Sequence, residues 1–587
     1  MRTTKPDPIT REVLHNALLM AVMEMKAAVV HTAYSPLWKE SGDLSCGLLT
    51  PQGEMVAQAL GDIPIHLATM PFSLQGCLAR IPVEELEAGD VLWQNDPYQG
   101  NNHLPDIFMA APVFAEGLLV GFSAVRGHYV DVGGSGPGSY SSAARDLHAE
   151  GLRIPPMRLY RRGQVNQDVL DMFLANVRGP GERLGDLRAQ SAGCHTGRRS
   201  LERLAAKHGA RELVALMEDL LDHSEALTRA QVRRLPKGRY EFTDHCDVGG
   251  EPIRLQVAVT VDGDREEAIT ADFTGSDPEV NNGMNAPIAV TTSATWFAIK
   301  CITDPENPAN SGSYRPVRVI APPGSVLNCQ YPRPVVLSNH ETAYRVADMV
   351  LGALAPAIPD RVVAAGAGTA GVFVVGGIDS RPEGGDRRFI YIDVAGAGQG
   401  GARHKDGRSG IRVNAGNMNN TPIEAAELAF PILTLAYELV PDTGGAGTFR
   451  GACALRRVFQ VNALDPTLTL TMEREHFPPY GLFGGQPGAP AMATLVRNGA
   501  IERLPSKTPP LSLATGGVVG LQCAGGGGFG DPLERHPERV LADVDDGYVS
   551  PAGARAYGVV ILETADGVRI DEPATRRLRA ERRSSRP

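Results

Sequence analysis

The feature that most restricts this chain is a change of apolar period along its length. Ile9, Val13, Leu14, Leu18, Ala21, Val22 and Met25 recur at helical spacing, which predicts one long amphipathic helix over Ile9–Val30, starting at Thr10 just after Pro8. From Leu44 the pattern breaks into short apolar runs parted by Gly, Asp and Asn. The runs Cys46–Leu49, Val91–Trp93, Ile107–Val113 and Leu118–Val125 predict strands of a mixed or antiparallel sheet. Helical spacing returns over 165–230. Tyr240, Phe242, Leu255, Val257, Val259 and Val261 then alternate with a period of two, so 238–330 reads as strands. Ala343–Leu354 predicts a helix stopped by Pro356. The stretch 360–530 reads as Gly-rich and in places strand-poor, with long loops. A short helix over Pro532–Val544 and an edge strand over Val559–Thr564 follow. This irregular alternation predicts an α+β architecture, multi-segment mixed sheets with flanking helices, rather than a doubly wound sheet. It divides the chain into 1–235, a strand-rich 236–360, and a Gly-rich 361–587 with a basic tail.

Composition narrows the class. The 587 residues are 43% hydrophobic and 21% charged, enough for a large core. The net charge of −10 is interrupted by no long basic stripe, which argues against nucleic acid as a partner. The short basic run Arg576–Arg583, beside Ser584 and Ser585, reads as a frayed tail. None of the eight cysteines forms a CxxC pair, as expected of reduced thiols. Met1–Thr10 has no apolar leader core, and no stretch reads as the ~18 apolar residues of a membrane span. The expectation is a cytoplasmic protein without a membrane partner.

The densest polar cluster runs from Glu40 to Asp131. It holds Glu40 and Asp43 in KESGDLSC, His66 in IPIHLATMP, His103 and Asp106 in NDPYQGNNHLPD, and His128 and Asp131 in GHYVDVGG. His103/Asp106 and His128/Asp131 are each three apart, a spacing that sets two side chains on one side of a turn. Imidazole and carboxylate together suit Zn, Mn or Fe at a catalytic site with an open position. His66 reads either as a further ligand or general base, or as a hydrogen-bonded structural histidine. Asp131 reads either as a partner orienting His128 or as a cap of the Gly133–Gly134 turn, the former slightly preferred. His148 and Glu150 read as loop structure. Gly525–Gly530 lacks the lysine of a phosphate-binding loop and reads as tight turns.

Several ordered motifs carry a resemblance. NDPYQGNNHLPDI, GHYVDVGG, EGLRIPP, LSNHETAYRVAD, REHFPPYGLFGGQPG and GGGGFGDP resemble, in this order, motifs of the hydantoinase B/oxoprolinase family. The likeness spans about Ile9 to Val549. It implies a centre of one or two divalent metal ions, with Glu40 or Asp43, His103, Asp106 and His128 as ligands. Glu40 or Asp43 doubles as general base if free of metal. It also implies a hetero-oligomer with a hydantoinase A-type subunit that uses ATP to phosphorylate a small cyclic amide or ketone, which this chain then processes. Lactam or hydantoin hydrolysis leads. Ketone carboxylation on the same scaffold and a non-catalytic scaffold for the ATPase are the alternatives. Two departures from the family pattern stand out: Asn101 and Asn102 replace small residues, and His340 replaces an apolar one.

Overall fold

The computed structural model describes residues 7–585 apart from 383, 498 and 566. Met1–Pro6, the main part of the segment read for a leader, lies outside the described residues. The first helix, α1 (Pro8–Thr32), is capped by Asp7, whose carboxylate accepts the Ile9 and Thr10 N–H groups at 3.0 and 3.1 Å, so it starts before Thr10. Its buried face is Leu14, Leu18, Ala21, Val22, Met25 and Val29. Ile9 and Val13, expected on that face, are 75% and 49% exposed. By length and composition α1 is apolar enough to cross a membrane, contrary to the reading that no stretch comes near this. Here its apolar face packs into the protein core.

The short helix α2 (Pro36–Lys39) leads into a seven-stranded antiparallel sheet. Its strands are β1 (Leu44–Leu49), β2 (Met55–Gln58), β3 (Val91–Gln94), β4 (Asp106–Ala115), β5 (Leu118–His128), β6 (Met157–Arg161) and β7 (Gln164–Val165), ordered β2-β1-β5-β4-β3-β6-β7. The central strands are covered on both faces, which is why DIFMAAPVF reads as an unbroken apolar run. Met109, Ala111 and Val113 join the core under α1 and α5 (Pro180–His208). Phe108 and Ala110 face Met70 and Leu74 of α3 (His66–Arg80). Helices α4 (Gln167–Ala175) and α6 (Ala210–Val232) complete the expected helical stretch.

Residues 238–330 are not all strand. β8 (Gly238–Val248), β9 (Glu251–Val261), β10 (Ile269–Asp272) and β11 (Val317–Ile320) form a second sheet, but α7 (Ile288–Thr303) lies among them. Its threonines and small residues hid a helix that is buried nearly all round. α7 packs on α8 (Ala343–Leu354), and one apolar core runs from Leu14 to Met418 through both sheets.

The region 360–530 is strand-poor only in places, as over 412–431 and 472–491, and elsewhere it carries two sheets. β12 (Val372–Asp379) and β13 (Arg387–Val394) pair with β18 (Leu464–Thr471) and β21 (Lys507–Ser512). β16 (Ile432–Val440), β17 (Ala454–Val461), β19 (Met492–Arg497), β20 (Ala500–Leu504) and β22 (Gly517–Gln522) form a five-stranded sheet, and β14 (Ala397–Gly398) and β15 (Ser409–Ile411) a small ribbon. Between the two larger sheets lies a core that includes Phe373, Phe459, Leu468 and Val519. Gly525–Gly528 is extended rather than turned. A Cβ at Gly525 would stand 1.9 Å from the Thr443 carbonyl oxygen and one at Gly528 2.3 Å from that of Ala446, so these glycines admit neighbouring backbone. After α9 (Ile423–Ala429), the last elements are α10 (Pro537–Asp545), the hairpin β23 (Ile561–Thr564)/β24 (Gly567–Ile570) and α11 (Glu572–Ser584). The basic run is therefore a helix: Arg579 donates to the Arg535 and Tyr557 carbonyls and Arg582 to that of Ala556. The α+β class holds.

Candidate metal centre

The register of the β4–β5 hairpin sets Asp106, first residue of β4, directly opposite His128, last residue of β5. Sequence spacing alone does not show this pairing, because 22 residues separate the two. Trp38 fixes the strand end. Its Nε1–H donates to the His128 carbonyl at 2.7 Å, and its ring lies where a Cβ on Gly127 would come within 2.1 Å of it. Position 127 therefore admits no side chain. His103 is delivered by the loop between β3 and β4, which is stapled internally. The Asn101 amide donates to the carbonyls of Asn95, His103 and Asp106 at 2.9, 3.0 and 2.6 Å, and Asn95 donates to Leu104 and Leu152.

One ligand atom from each of His103, Asp106 and His128 lies within 4.8 Å of the others, and all three residues are buried. Asp106 Oδ1 is 3.1 Å from His103 Nε2 and 2.9 Å from His128 Nδ1. The other oxygen, Oδ2, is occupied separately: His66 Nε2 lies 3.0 Å away, and the Asn102 amide donates to it as well. Burial alone would raise the Asp106 pKa. The imidazoles of His103, then His128 and His66, outweigh it and hold the carboxyl well below the usual carboxylate range. Burial pushes the His66 imidazole down, so the consistent arrangement is a neutral His66 donating Nε2–H to Asp106, with Nδ1 accepting from Ser45 Oγ at 2.7 Å.

Whether these residues fit a cation is decided by His103. Its Nδ1 is 3.0 Å from the Val336 carbonyl, an acceptor only, so Nδ1 carries a proton, and Nε2 is left to meet Asp106 either with a second proton or with its lone pair on an ion. That Nε2 is buried without a hydrogen-bond partner while facing an anionic oxygen. Burial disfavours the imidazolium, but Asp106 outweighs burial and raises His103, so without an ion Nε2 binds a proton toward the carboxylate, and a divalent ion can take that proton's place. Ligands ~2.1 Å from one ion stand roughly 3–3.4 Å from each other, close to the two separations of 3.1 and 2.9 Å from Asp106 Oδ1. The trio therefore fits a divalent ion. The Val336 carbonyl that orients His103 is itself set by Glu150. The fully buried Glu150 carboxylate accepts the Val335 and Val336 N–H groups at 3.0 and 2.8 Å, and burial pushes it up to about 8.

The trio opens through His128 onto a small cavity of about 30 Å³ whose polar lining includes Asp43, Tyr140, His340 and Arg412. Ile65, Val372 and Met418 contribute to an apolar wall. Of the residues expected at the site, His103, Asp106 and His128 converge, Asp43 faces the cavity, and His66 touches Asp106 from behind with both ring nitrogens engaged. Glu40 does not join them. It caps α2, half-buried, outside the cavity lining. Asp131 does not orient His128. Its oxygens accept from the N–H groups of Gly133, Gly138 and Arg178 and pair with the Arg178 guanidinium. Asn102, one of the two departures from the family pattern, bridges Asp106 and Asn339 (2.9 Å), and the other, His340, lines the cavity. Tyr140, Tyr344 and Arg412 went unread. SGPGSYSS and SGIRVNAG carry no spacing that would have flagged them, whereas Asn339 and His340 lie inside a motif already noted.

The hydantoinase B/oxoprolinase family matches residues 7–532, and this chain belongs to it. The chain is 32% identical to the caprolactamase subunit beta of Pseudomonas jessenii, over 98% of this chain and 99% of that one. The crystal structure of the ATP-dependent caprolactamase from the same organism superposes with a TM-score of 0.90 at 30% identity, covering 98% and 100% of the two chains. A 5-oxoprolinase of Dictyostelium discoideum is 28% identical over 90% of this chain and 41% of its own length. The nucleotide-free structure of acetone carboxylase shares the fold, with a TM-score of 0.91 at 23% identity over 98% of this chain and 83% of that one.

Proposed function

We propose that this chain is the metal-dependent catalytic subunit of a cytoplasmic, ATP-dependent amidohydrolase of the hydantoinase/oxoprolinase type. It opens a small cyclic amide whose oxygen a hydantoinase A-type partner has phosphorylated. The observation that carries this reading is the unpartnered His103 Nε2 aimed at Asp106 Oδ1, beside His128 and a cavity lined by Asp43. Family membership and the ATP-dependent caprolactamase relative support the reaction class.

A ring amide resists water because nitrogen donates into the carbonyl. Phosphorylation of the oxygen gives an imidate phosphate with an electron-poor carbon; water adds there, the ring nitrogen leaves as the amine, and hydrolysis of the resulting acyl phosphate releases the acid and phosphate. His103, Asp106 and His128 would hold one Mn, Zn or Fe ion, which when bound supplies a water of lowered pKa and a Lewis acid for the acyl oxygen. Asp43 faces the same cavity and takes the proton of the attacking water. His66 and Asn102 fix Asp106 through its second oxygen. Tyr140, buried between the rings of His128 and His340 at 6.0 and 5.5 Å, excludes bulk water.

His103→Ala, co-purified with the partner subunit, is expected to lose its metal and turn over at least about a thousandfold more slowly, while the partner's ATPase persists. Full metal occupancy with full activity would sink the assignment. Bicarbonate-dependent turnover of a ketone by the wild-type pair would instead make it a carboxylase, and a wild-type chain that retains no metal would make it a scaffold.

A further inference from the structure

In the cavity that His128 also lines, Arg412 presents a guanidinium with most of its donors unspent. Nη2 donates to the Tyr344 hydroxyl at 2.8 Å. Nε and Nη1 are buried and have no hydrogen-bond partner. Among the described residues no ion pair joins Arg412 to a carboxylate, although the charges of Asp43, in the same cavity, and Glu341 act on it. A second unspent polar atom lies in the same wall. His340 Nδ1 is 3.1 Å from Glu341 Oε1, and His340 Nε2 is buried without a partner. Leaving such donors bare in a closed space costs about 1–3 kcal/mol each, more for a charged one, so they are expected to have a ligand. The fork of Arg is matched by two oxygens of one oxyanion.

We propose that Arg412, held by Tyr344 and sharing the cavity lining with His340, is an oxyanion-binding subsite that anchors the substrate within reach of the metal trio. The inference rests on the function proposed above and names the substrate class: a small ring with an apolar body, seated against Ile65, Val372 and Met418, bearing one oxyanion. Two sources offer that chemistry, the phosphoryl group added to the amide oxygen and a carboxylate on the ring itself. The guanidinium is a positioning group here and takes no proton.

The test is equilibrium binding to the full metal-loaded chain by calorimetry. The probes are inorganic phosphate, 2-pyrrolidone-5-carboxylate and the uncharged 2-pyrrolidone. Arg412→Gln is expected to weaken at least one of the two anions by about tenfold or more, leaving 2-pyrrolidone and the metal content unchanged. Weakening of phosphate alone identifies the phosphoryl group as the anchored oxyanion, and of the carboxylate alone, the ring substituent. Tyr344→Phe, which frees the guanidinium without removing its charge, is expected to lose less, and its retained metal shows an intact fold. Unchanged binding of both anions in Arg412→Gln overturns the proposal. So does anion binding lost in His103→Ala but not in Arg412→Gln, since the anion then sits at the trio. Loss of metal in His103→Ala tests the underlying function separately.

Discussion

In one buried cluster of this molecule three cations face three carboxylates; in another, three imidazoles converge on a single carboxylate. The first fastens the second sheet to the C-terminal region. Arg345 pairs with Asp244 and Glu473 at 3.0 and 2.6 Å, Arg474 with Asp244 and Asp348 at 3.1 and 2.5 Å, and Lys507 with Glu473 at 2.6 Å. Its formal charges cancel without any outside group. Asp106 instead makes its ionic contacts with imidazoles, and a proton or ion must complete them. Burial and ionic contact are common to both clusters, so neither marks a site. What distinguishes the Asp106 cluster is an aimed, unpartnered nitrogen next to a cavity.

That contrast breaks most sharply if the two clusters respond alike to loss of charge. Asp106→Asn keeps the shape and removes the anion. Metal content by mass spectrometry is expected to fall below about a tenth of an ion per chain and turnover by about a thousandfold, with little change in unfolding midpoint. Arg345→Met is expected to do the reverse. It leaves two cations for three carboxylates in the interior and destabilises by about 3–5 kcal/mol in urea titration, while the folded fraction keeps its metal. Metal loss in Arg345→Met without loss of stability would erase the distinction.

Asp62 sharpens the comparison, because it is a buried carboxylate with a single cationic partner. Burial, only partly offset by Lys26 at 2.8 Å, pushes it up to about 6, whereas three imidazoles hold Asp106 low. A carboxyl raised on folding binds its proton more tightly in the native state. Its contribution is present below pH ~4 and lost as pH rises through about 6, a difference of roughly 3 kcal/mol. Asp62→Asn should therefore gain stability relative to wild type between pH 4 and 7, read from urea midpoints at each pH. A difference that stays flat with pH would show that Lys26 compensates Asp62 fully.

The parts of this arrangement legible in the sequence were those carried by short-range pattern. HxxD marked His103 with Asp106, and alternation marked β8 and β9. The strands of 360–530 were obscured because glycines at close backbone approaches look like loop residues. α7 was lost because a helix buried nearly all round has no polar face to give it a period. Asp106 meets His128 through strand register, and Arg412 reaches the cavity from a loop 284 residues beyond His128; neither leaves a local trace. The preference for Asp131 as a partner of His128 failed for a related reason. In a strand ending at His128, the residue three further on has already turned away to cap Gly133 and Gly138.

Glu150 links the sheet that carries the metal trio to the segment that orients it, and its loss is the smallest effect expected here. In the ionised wild type, above about pH 8, both oxygens accept, one from Val335 N–H and one from Val336 N–H. In Glu150→Gln one end becomes an NH2 group that must face a backbone N–H, donor against donor. The 335–336 segment then shifts, and with it the carbonyl that fixes the proton of His103 on Nδ1. His103 stays in place but loses its preferred tautomer, so metal affinity should fall by about 10–100-fold, far less than in Asp106→Asn. Competition against a chelator measures this directly. If affinity is unchanged, the loop bonds of Asn101 alone suffice to orient His103, and Glu150 belongs with Arg345 among the groups that only hold the fold together.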